Sequence, residues 1–227
     1  GVPVIELVSD DGGQTAIEPS SLTRTTETLT VLGSNFRDAT AIEIIDSSSN
    51  VLQLIYPVDA YIKADQRLEI PANVIGYDAE GNSRRMRIWN TLGPSDYSED
   101  QFNIITGPAY ITSTSFDEGN YDRAEPLEVT GVGFKSKQQG PLDGNATVTH
   151  IRLETTTGDP VYPADGNGSG IDIESNITII SDTKLIIRGN TLPSSTEGMG
   201  RRFKVSRGTV STLSQGRFVK FVVISSQ

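Results

Sequence analysis

Residues Asp165 to Glu174 set side-chain oxygens at the spacing a hard cation needs. Asp165, Asn167 and Ser169 stand at the first, third and fifth positions, and Gly170 at the sixth allows a sharp turn. The twelfth position holds Asn176 rather than a bidentate Glu, so Asp172 or Glu174 would have to complete a calcium loop; the same stretch also reads as a Gly-rich hairpin loop. Other chemistry is thinly supplied. His150 is the single histidine, and any Ser-His-Asp arrangement would depend on it. Cysteine is absent, which excludes thiol catalysis, Cys-based zinc sites and iron–sulfur clusters. The glycines from Gly166 to Gly170 lack the Lys that follows a phosphate loop, and neighbouring carboxylates such as Asp117 and Glu118 are too common to identify a glycosidase pair. The expectation is a protein that is not an enzyme and has no cofactor beyond that calcium loop.

Binding residues are better represented. Trp89 follows the inward-facing Ile88, so its ring leaves the Ile88 face, either into a peripheral core or, beside Asn90, as a platform for a sugar ring or a partner pocket. Tyr56, Tyr61 and Tyr77 are further stacking candidates. The pairs Arg84-Arg85 and Arg201-Arg202 recur at equivalent places. They read as solvated charges at a strand start, or as cations that pair with acidic patches on an adjacent domain or subunit. Asn145, Asn167 and Asn176 head formal glycosylation triplets of a kind that arises by chance. A net charge of −10 opposes nucleic-acid binding, because a phosphate backbone rewards clustered Lys and Arg. No apolar run approaches the roughly 20 residues of a membrane span. The sequence opens at Gly1 rather than Met, which is compatible with removal of a signal peptide.

An internal repeat dictates which elements must position these residues. Leu29, Val31, Gly33 and Phe36 return as Leu127, Val129, Gly131 and Phe134, an offset of 98. Residues 41–46 correspond to 150–155 at an offset of 109, so the second copy carries 11 extra residues in between. Asp65 to Pro71 matches Asp182 to Arg188, and Arg84 to Ile88 matches Arg201 to Val205, both at 117. A period near 100 residues is that of one small β-domain and too long for a solenoid unit. The expectation is an all-β chain of two tandem immunoglobulin-like β-sandwiches, residues 1–106 and 107–227, the second with longer loops.

Alternation gives the strands: Ile42 and Ile44 inward around Glu43, Met86 and Ile88 inward around Arg87. Phe36 folds back as a core plug after a bend at Gly33 and Asn35. Thr106 to Ala109 reads as a short linker that makes the pair elongated and stiff. The final stretch, Arg217 to Ile224, is the most apolar of the chain, either a central core strand or one that pairs with the sheet edge of a neighbouring molecule.

These residues resemble the IPT/TIG family of immunoglobulin-like domains. The first copy carries the pattern at Pro3, Ile5, Leu29, Gly33, Asn35, Phe36, Ile42, Ile44, Ile88, Asn90, Gly93, Ser95 and Phe102; the second departs from it, with Gly133 in place of Asn35 and Arg207 to Val210 near where the first has Asn90 to Gly93. The resemblance implies early-set sandwiches that serve as spacers and interaction modules in bacterial surface proteins, receptor ectodomains, carbohydrate-active enzymes and phage particles. The expected function is therefore a structural and interaction protein, spacer or assembly subunit, on a cell surface or, alternatively, a virion, whose partners are other protein subunits in a homo-oligomeric or filamentous assembly. The alternatives are a glycan-binding surface module and accessory domains of a larger carbohydrate-active enzyme.

Overall fold

The computed structural model describes residues 1–17, 21–58, 61–116, 120–135, 150–155, 157–162, 176–206 and 221–224. Two compact units form, Gly1–Gly107 and Pro108–Gln227.

The first unit runs β1 (Val4–Ser9), β2 (Ser21–Thr23), β3 (Leu29–Ser34), β4 (Ala39–Ile45), β5 (Val51–Ile55), β6 (Ile62–Ala64), β7 (Arg67–Ile70), β8 (Gly81–Asn90), β9 (Gly93–Pro94) and β10 (Phe102–Ile105). One sheet has the order β1-β3-β7-β6; the other has β2-β10-β8-β4-β5, with β9 added to β8. The opening strand is divided between the sheets: β1 pairs antiparallel with β3, and β2 pairs parallel with β10. Two facing antiparallel sheets in this order make an immunoglobulin-like sandwich.

The second unit repeats the plan with β11 (Tyr110–Thr114), β12 (Asn120–Asp122), β13 (Leu127–Val132), β14 (His150–Thr155), β15 (Pro160–Tyr162), β16 (Ile177–Ser181), β17 (Lys184–Ile187), β18 (Gly198–Ser206) and β19 (Phe221–Ile224). Its sheets read β11-β13-β17-β16 and β12-β19-β18-β14-β15, strand for strand the first unit's order. Register agrees too. Ile42 faces Ile88 and Ile44 faces Met86; Ile151 faces Val205 and Leu153 faces Phe203. All eight of these side chains are buried, as period-two alternation requires of a half-covered sheet.

One corner explains the repeated Gly-x-x-Phe. The β1–β3 ladder slips between Ile5 and Leu7, and the β11–β13 ladder slips between Ile111 and Ser113, which brings the partner backbone over the glycine. A Cβ on Gly33 would collide with the Val4 carbonyl and lie 2.8 Å from the Phe36 ring; on Gly131 it would meet the Tyr110 carbonyl and the Phe134 ring. Beyond the glycine the chain turns through a left-handed residue, Asn35 at φ 62° and Gly133 at φ 73°. Asn and Gly are the residues that tolerate that region, so the departure at Gly133 conserves the backbone. The turn is then pinned by one aspartate in each unit: the Phe36 N–H donates to the Asp65 carbonyl at 3.0 Å and the Arg37 N–H to its carboxylate at 3.1 Å, while Phe134 and Lys135 repeat both bonds at the same distances on Asp182.

One reading changes and one open alternative closes. Thr106 belongs to the first unit rather than to a linker: it is buried and its hydroxyl donates to the Glu80 carboxylate at 2.6 Å. β19 is flanked on both edges within its own sheet, by β12 and β18, so the terminal strand is a central one and offers no edge to a neighbour. Residues 217–220 lie outside the described residues.

Candidate interaction surface

β8 sorts its side chains strictly. Met86, Ile88 and Asn90 turn inward and are buried, while Arg85, Arg87 and Trp89 face outward. The segment after β9 is laced along β8 by two serines: Ser95 N–H donates to the Ile88 carbonyl at 2.7 Å and Ile88 N–H to Ser95 Oγ at 3.0 Å, with Ser98 and Met86 repeating the exchange at 2.8 and 3.1 Å. This lacing places Tyr97 on the outer face. The Arg87 guanidinium then lies 4.8 Å from the Tyr97 ring centre and 5.0 Å from that of Trp89, and Arg85 lies 5.2 Å from Tyr97. Glu43 on β4 fixes Arg87 from the other side at 2.7 Å. Each cation–π contact at a partly exposed site contributes about 0.5–1 kcal/mol, enough to hold the ladder in one arrangement.

Trp89 stands opposite Ala41 on β4 and Pro94 on β9. Its indole N–H is covered and has no hydrogen-bond partner among the described residues. On the far side of β4, Leu54 faces Glu43, and Tyr56 follows the Ile42–Ile55 pair, which carries it level with Ala41. Leu54 is 47% and Tyr56 69% exposed. Gln53 shares the inward face with the buried Ile55, bonding to the Val74 carbonyl and the Gly76 N–H, while Leu54 and Tyr56 look to solvent. The result is a row of Tyr56 just past the end of β5, Ala41 on β4 and Trp89 on β8, beside a charged ladder. The second unit lacks it: Ser206 takes the place of Trp89, and Arg152 faces Lys204 where the first unit pairs Glu43 with Arg87.

The other residues singled out in the sequence fall elsewhere. Asn90 faces inward rather than beside the Trp89 ring; its amide donates to the Gly1 carbonyl at 2.9 Å and its oxygen accepts the Leu92 N–H. Arg84 and Arg201 are not solvated charges awaiting a partner. Each bends back onto the 3₁₀ turn before its own strand, Arg84 donating to the carbonyls of Ala79 and Glu80, Arg201 to those of Thr196 and Glu197. The intervening Gly81 and Gly198 sit at φ 129° and 140°, with no room for a side chain beside the guanidinium. Burial pulls the Arg84 pKa below its usual value, with Asp46 acting against that shift. Arg85 belongs to the ladder, and Arg202 stands across from Glu154. Tyr61 packs against the core, and Tyr77 lies half-buried in the 3₁₀ turn. His150 starts β14 opposite Ser206. Asp165, Asn167, Ser169, Asp172 and Glu174 lie outside the described residues. Among the described residues no three His, Cys, Asp or Glu side chains are grouped to hold a metal, and no helix is long and apolar enough to cross a membrane.

Two residues that sequence reasoning missed are Arg24 and Glu80, an ion pair at 2.7 Å inside the first unit. Its counterpart, Arg123 and Glu197, is open to solvent at 3.1 Å. The signal was available in Glu80-Gly81 and Glu197-Gly198, which recur at the offset of 117 with each glutamate four residues before its clamping arginine.

No family model matches the chain, and no curated protein does. Among solved structures, a surface glycan-binding protein of Prevotella bryantii aligns at 14% identity over 97% of this chain and 42% of that one, with a TM-score of 0.33. A protein of the mixed-linkage glucan utilization locus of Bacteroides ovatus, solved with a mixed-linkage heptasaccharide, aligns at 15% over 96% and 46%, TM-score 0.32. Tandem immunoglobulin domains of titin align at 11% over 91% and 92%, TM-score 0.30. The chain spans less than half the length of the two bacterial proteins. The fold rests on the strand order and register described above.

Proposed function

We propose that the chain is a non-catalytic interaction and spacer module of two immunoglobulin-like sandwiches, of IPT/TIG type, working on a cell surface or virion, and that the outer face of the first unit's β5-β4-β8 sheet is where it meets its partner, a further copy of the chain. The exposed apolar side chains of β5 carry this reading: Val51 and Leu54 face solvent on an edge strand, Val51–Ile55, that contains no charged residue and no proline, and Tyr56 follows it. Such an edge is a template for strand pairing unless blunted. In a unit that carries sixteen carboxylates against seven Lys and Arg in residues 1–107, an uncharged strand is also where two copies approach at least electrostatic cost. Sedimentation velocity over a concentration series tests it. Wild type is expected to associate and Leu54→Lys to remain monomeric; a wild type monomeric throughout, or a Leu54→Lys variant that associates equally, contradicts the reading.

A second reading, a glycan-binding module, has its own observation: Tyr56 and Trp89 flank the small Ala41, so two rings about two strand spacings apart, on the order of 10 Å, border a flat floor next to the polar groups of Glu43 and Arg87. Loss of oligosaccharide binding in Trp89→Ala supports this reading, and binding unchanged by that substitution counts against it.

A further inference from the structure

We infer that a groove at one pole of the first unit, remote from the β5 edge in role and composition, is a binding site for a neutral saccharide. Three turns converge there: Asn35–Asp38 between β3 and β4, Ala64–Gln66 between β6 and β7, and Thr91–Leu92 after β8. They enclose an open cavity of about 660 Å³, within the range of about 300–1,000 Å³ of small-ligand sites.

The turns are braced before any ligand arrives. The Asp65 carbonyl and carboxylate hold the N–H groups of Phe36 and Arg37, the Gln66 carbonyl accepts the Gly33 N–H at 3.1 Å, and Asn90 caps the last turn at Leu92. Against this fixed backbone, Arg37, Asp38 and Lys63 line the groove with side chains that take part in no hydrogen bond or ion pair among the described residues. The four charged side chains of the lining are balanced. Arg37 and Lys63 can only donate, whereas Asp38 and the second oxygen of Asp65 can only accept. A hydroxyl both donates and accepts, so vicinal hydroxyls of a pyranose satisfy such a set, while an anion meets two carboxylates and a cation meets two basic groups. Leu92, 69% exposed, supplies an apolar wall for the C–H face of a ring.

The second unit is an internal control. Lys135 replaces Arg37 and its ammonium lies 3.5 Å from the Ile180 carbonyl, and Ile180 itself stands where the first unit has Lys63. Among the described residues, the counterparts of Arg37 and Lys63 in the second unit do not repeat this arrangement. This inference goes beyond the self-association proposed above and does not depend on it.

The test is amide-resolved NMR titration of the whole chain with cellohexaose, xylohexaose, mannohexaose and laminarihexaose to millimolar concentration, with sodium sulfate as an anion probe. At least one saccharide is expected to shift the amides of residues 35–38, 64–66 and 91–92, with affinity falling on the order of tenfold in the double variant Asp38→Ala, Lys63→Ala and unchanged in Leu54→Lys. Neither exposed residue supports the fold, and a preserved amide spectrum of the double variant confirms that. No shift with any saccharide, shifts confined to the Trp89 face, groove binding that survives the double variant, or equal shifts with sulfate would each overturn the inference.

Discussion

Arg24 and Glu80 meet at 2.7 Å with 1% of either side chain exposed, and the hydroxyl of Thr106 donates to the same carboxylate. The pair joins the end of β2 to the turn that precedes β8, two segments 56 positions apart. Removing one member of a buried pair leaves the other charged and uncompensated, which costs about 3–5 kcal/mol. Glu80→Ala is therefore expected to lower first-unit stability by that amount in urea unfolding. Glu197→Ala, which breaks a pair whose side chains are 26% and 39% exposed, is expected to change the second unit by no more than about 1 kcal/mol. Equal effects would contradict the contrast.

Gly33→Ala and Gly131→Ala place a methyl group into a carbonyl and an aromatic ring that are themselves locked in the core. Each is expected to destabilise its unit by about 2–4 kcal/mol. Gly133→Asn, by contrast, installs at φ 73° the residue the first unit uses at φ 62°, and is expected to stay within about 0.5 kcal/mol of wild type. Thermal unfolding of the three variants checks the order.

Arg84→Lys distinguishes a clamp from a mere charge. A planar guanidinium spans the carbonyls of Ala79 and Glu80 at once, which an ammonium on a flexible stem does not. The lysine variant is expected to lose about 1–2 kcal/mol of stability while its sedimentation behaviour matches wild type. Unchanged stability with altered association would return Arg84 to the role of an intersubunit cation.

Tyr121 gives the second unit a pH signature. Burial first, then the charges of Asp122 and Glu125, raise its hydroxyl to about 12, and the hydroxyl donates to the Glu125 carbonyl at 2.8 Å. A raised folded-state value means that the stabilisation is complete below the unfolded value of about 10 and is lost as pH rises toward the folded one. Second-unit stability is expected to fall between those limits in wild type and to be flatter in Tyr121→Phe, followed by denaturant midpoints at alkaline pH.

Much of the sandwich was legible because local rules and the repeat agree. The offsets of 109 and 117 reproduce the observed registers, Ile42 against Ile88 and Ile151 against Val205. Alternation also held the answer for Asn90: two positions after Ile88 it shares the inward face, so placing it beside an exposed Trp89 overlooked the period of two. What escaped was long-range polar contact. Arg24 with Glu80, Tyr97 over Arg85 and Arg87, and Arg84 folded onto its own turn arise from tertiary placement, and no periodicity announces them. The apolar terminal strand left two alternatives open, since apolarity does not separate a central strand from an edge; the pairing of β19 with both β12 and β18 decides for the central one.

The claim that the chain assembles through the exposed face of β5 is tested most directly by hydrogen exchange of the amides of Val51 to Ile55 at low and high protein concentration. The account predicts exchange that slows as concentration rises, in step with association, and is independent of concentration in Leu54→Lys. Association that leaves these amides unprotected, or no change at any concentration, would contradict it.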